Sequence, residues 1–130
     1  MSAFARDDQG RLCAGGMPLG DIAASHGSPL YVYSGDGIRD DYRRFAAAVA
    51  PVDGSVHFAL KANSALGVIG LLARHGAGAD IVSGGEMARA LAAGIPAEKI
   101  VFSGVGKSAE EISAALDAGI GQINAESSQE

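Results

Sequence analysis

Cysteine is nearly missing from this chain: Cys13 is the only one in 130 residues. No intrachain disulfide can form, which fits a reducing compartment, the cytoplasm by default. Cys13 also sits in a glycine-rich, weakly patterned stretch, a poor setting for a nucleophile. An excess of positive charge is missing too. Ten Lys and Arg face fifteen Asp and Glu, for a net charge of -5. With no basic stripe, a nucleic-acid surface is excluded. Long apolar runs are absent, because Gly, Lys or Asp interrupts each one, so no segment is expected to span a membrane. Met1 to Asp8 carries acids and lacks the apolar core of a signal peptide. His26, His57 and His75 have no metal-ligand spacing, and no cysteine cluster accompanies them. No metal site is expected.

What is present reads as a globular α/β domain. Hydrophobic residues make up 48% and charged residues 19%, enough for a core and too little charge for disorder. Residues 1–29 are rich in Gly and Asp with weak pattern and read as an extension. Within it, Asp21 to Gly27 fits a short helix closed by glycine. Ser28-Pro29 then forces an extended chain, and Leu30 to Tyr33 is predicted as a short strand from its β-formers.

From residue 37 a repeat sets in. Ile38, Tyr42, Phe45, Ala46 and Val49 recur at helical spacing, so residues 37–50 read as an amphipathic helix ended by Pro51 and Gly54. Strands follow at Val56 to Leu60, Ala79 to Val82, Lys99 to Phe102 and Gln122 to Ala125. Helices lie between them at Leu66 to His75, Glu86 to Ala93 and Ser108 to Ala118. Gly76, Gly94 and Gly119 stop these helices, and Ser108 with Glu111 forms a capping box. One strand plus one helix per twenty-odd residues is the βα unit of a parallel sheet.

Two architectures use that unit, an open doubly wound sheet and a (β/α)8 barrel. A dinucleotide fold would put Gly-x-Gly-x-x-Gly after its first strand, and this chain has Lys61-Ala62-Asn63-Ser64 there. Polar residues instead recur where strands end: Lys61, Ser83, Ser103 and Glu126-Ser127. A barrel keeps its chemistry at that edge, so the reading is a partial (β/α)8 barrel over residues 30–130. A whole barrel takes about 250 residues, so only about four of its eight units fit.

Lys61 ends an apolar run, and strand alternation would place it on one face with His57 and Ala59. An amine held rigidly at a strand end suits Schiff-base chemistry; a lysine merely reaching for solvent would look the same. Asp80 is a strand acid that needs a partner, and a lysine on the neighbouring strand is the natural one. Glu86 follows Gly84-Gly85 at a helix start, where the helix dipole favours a carboxylate for structural reasons alone. Ser103-Gly104-Val105-Gly106-Lys107-Ser108 has glycines and a lysine but not phosphate-loop spacing, and reads as a turn with a capping serine. His57 reads as a satisfied interior histidine, and His75 as a helix C-terminal one.

These motifs, in this order, resemble one family. Phe58-Ala59-Leu60-Lys61-Ala62-Asn63 is similar to the lysine motif of the pyridoxal-phosphate-dependent ornithine, arginine and diaminopimelate decarboxylases, whose barrel is like that of alanine racemase. Gly76 to Glu86, Lys99 to Ser108 and Ile123 to Ser127 resemble the family's next three strand motifs, and Pro29 to Tyr33 its opening strand. The Ser-Gly-Gly-Glu form and the Phe-Ser-Gly-Val-Gly-Lys-Ser run favour the diaminopimelate branch over ornithine and arginine decarboxylases; the alternative is one of those decarboxylases or an amino-acid racemase of the same fold.

The resemblance implies pyridoxal 5'-phosphate as cofactor, Lys61 as its Schiff-base lysine, and Asp80, Ser83 and Glu86 as residues near it. It also implies an amino-acid substrate and a homodimer in the full-length protein. The family's phosphate loop, ring-stacking histidine and substrate arginine would lie beyond Glu130. This stretch alone is therefore expected to be inactive, either as an amino-terminal portion or as a non-enzymatic half-barrel.

Overall fold

The computed structural model describes residues 3–128, which leaves the Gln129-Glu130 end outside the described residues. The chain divides into two compact units, Met1–Tyr42 and Arg43–Glu130.

The first unit corrects the expectation of an unpatterned start. Strands β1 (Phe4–Arg6), β2 (Leu12–Ala14) and β3 (Met17–Pro18) form an antiparallel sheet in the order β1-β2-β3. They are too short for alternation to show in the sequence; their turns are the real signal. Asp7 holds the first turn, its carboxylate accepting from the backbone N–H groups of Gln9 and Arg11 at 3.0 and 2.9 Å. Gly15 and Gly16 both have positive φ between the paired Ala14 and Met17, the two-residue hairpin turn that Gly-Gly favours. Helix α1 (Leu19–His26) follows and ends at Gly27, as expected.

Leu30 to Tyr33 is not a strand. Its β-formers give an extended chain, but a strand needs a ladder, and no described segment pairs with it. Tyr31 is 89% exposed, so the segment also buries little of its own apolar surface.

Helix α2 (Gly35–Val49) matches the predicted amphipathic segment and runs into a 3-10 turn at Ala50–Val52. The second unit then alternates β4 (His57–Ala59), α3 (Leu66–Arg74), β5 (Gly78–Ile81), α4 (Gly84–Ala92), β6 (Ile100–Phe102), α5 (Ala109–Ala118) and β7 (Gln122–Ile123). The four strands are parallel in the order β4-β5-β6-β7. This is the α/β fold of parallel βα repeats that the sequence pattern predicts.

Register divides the sheet into two faces. Phe58, Ala79, Ile81, Ile100, Phe102 and Ile123 share the face that meets Ile69 of α3, Met87 and Ala90 of α4, and Ala115 of α5. His57, Ala59, Gly78, Asp80, Val101 and Gln122 share the other. The hydrophobic core therefore lies entirely on the helix side, which leaves the opposite face free for polar groups.

Gly78 is needed for close approach. A Cβ there would collide with the Lys99 carbonyl oxygen and the His57 ring. Gly78→Ala should cost about 1–3 kcal/mol, the usual range for overpacking, read as a lowered urea midpoint of the full-length protein.

Candidate active site

Strand β4 stops one residue earlier than its apolar run implies. Leu60–Ala62 is a 3-10 turn, with Asn63 N–H donating to the Leu60 carbonyl at 3.0 Å. The turn swings Leu60 fully into the core. It also corrects the predicted placement of Lys61, which sits on the turn just past the strand and not on the strand itself. Lys61 is exposed, and its Nζ has no hydrogen-bond or ion-pair partner among the described residues.

The turn is held from both sides. The Asn63 side chain accepts from Ala65 N–H at 3.0 Å, which leads the chain into α3, whose N-cap Ala65 has no side-chain cap of its own. Arg89 of α4 donates from Nη1 to the Ser64 carbonyl at 3.2 Å. The amide after Ala62 thus has a local structural purpose, and the lysine beside it is left unengaged.

Asp80 is half-buried and register-paired with Ala59, two residues before Lys61. The expected Lys61–Asp80 pair does not form. Asp80 Oδ1 instead accepts from Ser103 Oγ at 2.6 Å, and Ser103 Oγ accepts from Asn124 Nδ2 at 3.1 Å. A hydroxyl one strand away reaches the acid without the desolvation a buried ion pair would cost. Asn124 was hidden in the sequence. Its signal was period-two alternation from Gln122, which puts both amides on the face of Asp80.

Ser83 and Glu86 stand at the start of α4. Ser83 caps the helix by accepting from Glu86 N–H at 3.2 Å, and Glu86 Oε2 accepts from Val82 N–H at 2.8 Å. Both side chains are engaged by backbone, as the helix-start reading of Glu86 anticipated. The helix itself begins two residues before the predicted start. Ser103 to Ser108 is the expected turn: Gly104 and Gly106 have positive φ, and Ser108 with Glu111 completes the capping box of α5. His57 is only half satisfied. Its Nε2 lies 3.0 Å from Ser55 Oγ, while the buried Nδ1 has no partner among the described residues.

Glu111 has a second task that its capping role concealed. Oε1 accepts from Gly84 N–H at 2.8 Å while Oε2 accepts from Ser108 N–H at 3.1 Å, so one carboxylate ties the starts of α4 and α5 together. These bonds, Gly84 first, hold its carboxyl below the usual glutamate range. With the folded value depressed, the tie is complete above the ordinary range and is lost as pH falls through the folded value. Glu111→Gln should therefore lower the melting temperature at neutral pH, where the tie is complete, and converge on the wild type in acid, which flattens the acid side of the profile.

Among the described residues no group of three His, Cys, Asp or Glu could hold a metal ion, and no helix is long and apolar enough to cross a membrane. The site is therefore a free amine, an oriented acid and a set of pinned loops along the carboxyl edge of a parallel sheet.

A family model described as pyridoxal-dependent decarboxylase, pyridoxal binding domain, matches residues 36–130. A diaminopimelate decarboxylase of Pseudomonas fluorescens is 54% identical over 93% of this chain and 29% of its own length. One from Zymomonas mobilis is 50% identical over 93% of this chain and 30% of its own length. The chain thus spans about three tenths of the length of these curated relatives. Among solved structures, diaminopimelate decarboxylase from M. jannaschii in complex with L-lysine superposes with a TM-score of 0.89 at 36% identity, covering 95% of this chain and 30% of that one. Arginine decarboxylase of Paramecium bursaria Chlorella virus, at 20% identity and a TM-score of 0.73, shares the fold.

Proposed function

Because this chain belongs to the pyridoxal-dependent decarboxylase family, we propose that the full-length protein decarboxylates meso-diaminopimelate to L-lysine with pyridoxal 5'-phosphate bound at Lys61. The observation that carries the chemistry is the unpartnered Lys61 amine at the carboxyl edge of the sheet. The choice of substrate rests on the relatives at 54% and 50% identity.

The residues present fit the cofactor. The Lys61 amine competes with no carboxylate among the described residues. Ala59 and Gly78, on the sheet face away from the helices, carry little or no side chain. Asp80 keeps Oδ2 without a hydrogen-bond partner among the described residues. When bound, pyridoxal phosphate supplies the electron sink for the carbanion left as CO2 departs.

Lys61 Nζ would hold the cofactor, and the freed amine would hold a proton for the substrate's α-carbon. Asp80 orients the bound group. Ser83 and Glu86 support it through the loop they fix at the start of α4. Residues 30–130 are the barrel-forming domain in this reading. The homodimer and the cytoplasmic location belong to the same proposal.

The test is CO2 release by the full-length protein supplied with pyridoxal phosphate, on a panel of meso-diaminopimelate, ornithine and arginine, with racemisation followed alongside. Release from meso-diaminopimelate alone is expected. Turnover of ornithine or arginine in its place, or racemisation without CO2, would refute the assignment.

A further inference from the structure

We infer that Ser103 and Asn124 are positioning residues that fix the Asp80 carboxylate for the bound cofactor; this rests on the proposed role of Asp80.

The arrangement is a one-way chain. Gln122 Nε2 donates to Asn124 Oδ1 at 2.5 Å, Asn124 Nδ2 to Ser103 Oγ at 3.1 Å, and Ser103 Oγ to Asp80 Oδ1 at 2.6 Å. Every donor points toward the carboxylate, so each bond polarises the next and the acid is the terminal acceptor. The last bond has the length of a hydroxyl bonded to an ionised carboxylate.

The backbone sets this geometry. Ser103 N–H donates to the Ile81 carbonyl and Asn124 N–H to the Phe102 carbonyl, each at 2.8 Å. These bonds carry the ladder one residue past β6 and β7. Alternation then places Ser103 on the face of Val101, and Asn124 on the face of Gln122. That is the face of Asp80. Oδ1 is taken by the chain, and Oδ2 has no partner among the described residues. An acid with one oxygen locked and the other open has few orientations left, which is what a group aimed at a bound ring requires.

A tie between strand ends alone would need none of this directionality, and the two roles predict different results. In the full-length protein with pyridoxal phosphate, Ser103→Ala should lower kcat about tenfold with KM for meso-diaminopimelate nearly unchanged, the pattern of a misaligned reacting group. The circular dichroism band of the bound cofactor, which reports its orientation, should weaken in step. Ser103→Thr keeps the hydroxyl and should restore both.

Wild-type kcat and an unaltered band in Ser103→Ala would overturn the inference, and so would a lowered melting temperature with no change in band. If Ser103→Ala does not fold, Asn124→Ala carries the same test one link away. Asp80→Ala separates the two levels. Wild-type kcat there removes both the role of Asp80 and this inference. Loss there, with a normal Ser103→Ala, removes this inference alone.

Discussion

Lys61→Ala in the full-length protein should lose decarboxylation by at least about 10³-fold, the scale of removing a group that both anchors the cofactor and moves a proton. Stability should hardly move. Lys61 is exposed and its amine has no partner among the described residues, so substitution should stay within about 0.5 kcal/mol. The pair of measurements is CO2 release and the urea midpoint. A residue kept for chemistry loses the first and leaves the second alone. A lysine that merely keeps a strand end soluble would leave both unchanged. Retained CO2 release would remove Lys61 from the reaction. A large fall in stability would mean that the amine holds the fold.

The largest expected loss of stability is at Phe102. It is fully buried on β6, among Ile81, Ile100, Met87 and Ala115. Phe102→Ala removes the whole phenyl ring from a face with helices on one side and the sheet backbone on the other. Neither can collapse into the gap, so the cost should be about 3–5 kcal/mol. Val105, three residues on and 85% exposed, is the control, and Val105→Ala should stay within about 0.5 kcal/mol. Equilibrium urea unfolding of both variants decides the matter. Equal small effects would mean that β6 does not carry the core. Because Ser103 follows Phe102 directly, the deeper variant should also disturb the Asp80 chain, whereas Val105→Ala should not.

Much of the repeat was legible along the chain. Glycines at 76, 94 and 119, the Ser108–Glu111 box and apolar runs of strand length mark local events, and local events are written in neighbouring residues. The first three strands were not legible, because two or three residues cannot display a period. Leu30 to Tyr33 failed in the opposite direction. Its β-formers were plain, but a strand is made by its partner. Lys61 shows the intermediate case. The apolar run leads to the lysine, but the 3-10 turn at Leu60–Ala62 sets it past the strand end while Leu60 enters the core.

By itself, the sequence determined the parallel βα architecture, the helix ends and the amine that ends the first apolar run of the repeat. Periodicity, capping and turn chemistry each act over a few residues, so one chain read in order contains them. Only the tertiary structure decided which groups meet. Asp80 bonds to Ser103 rather than Lys61, Asn124 stands behind Ser103, and Glu111 ties Gly84 to Ser108. Ser103 to Asp80, Asn124 to Ser103 and Glu111 to Gly84 each bridge 21 to 27 residues, about one βα unit. Strand register sets such contacts, and register is a property of two strands together that neither carries alone.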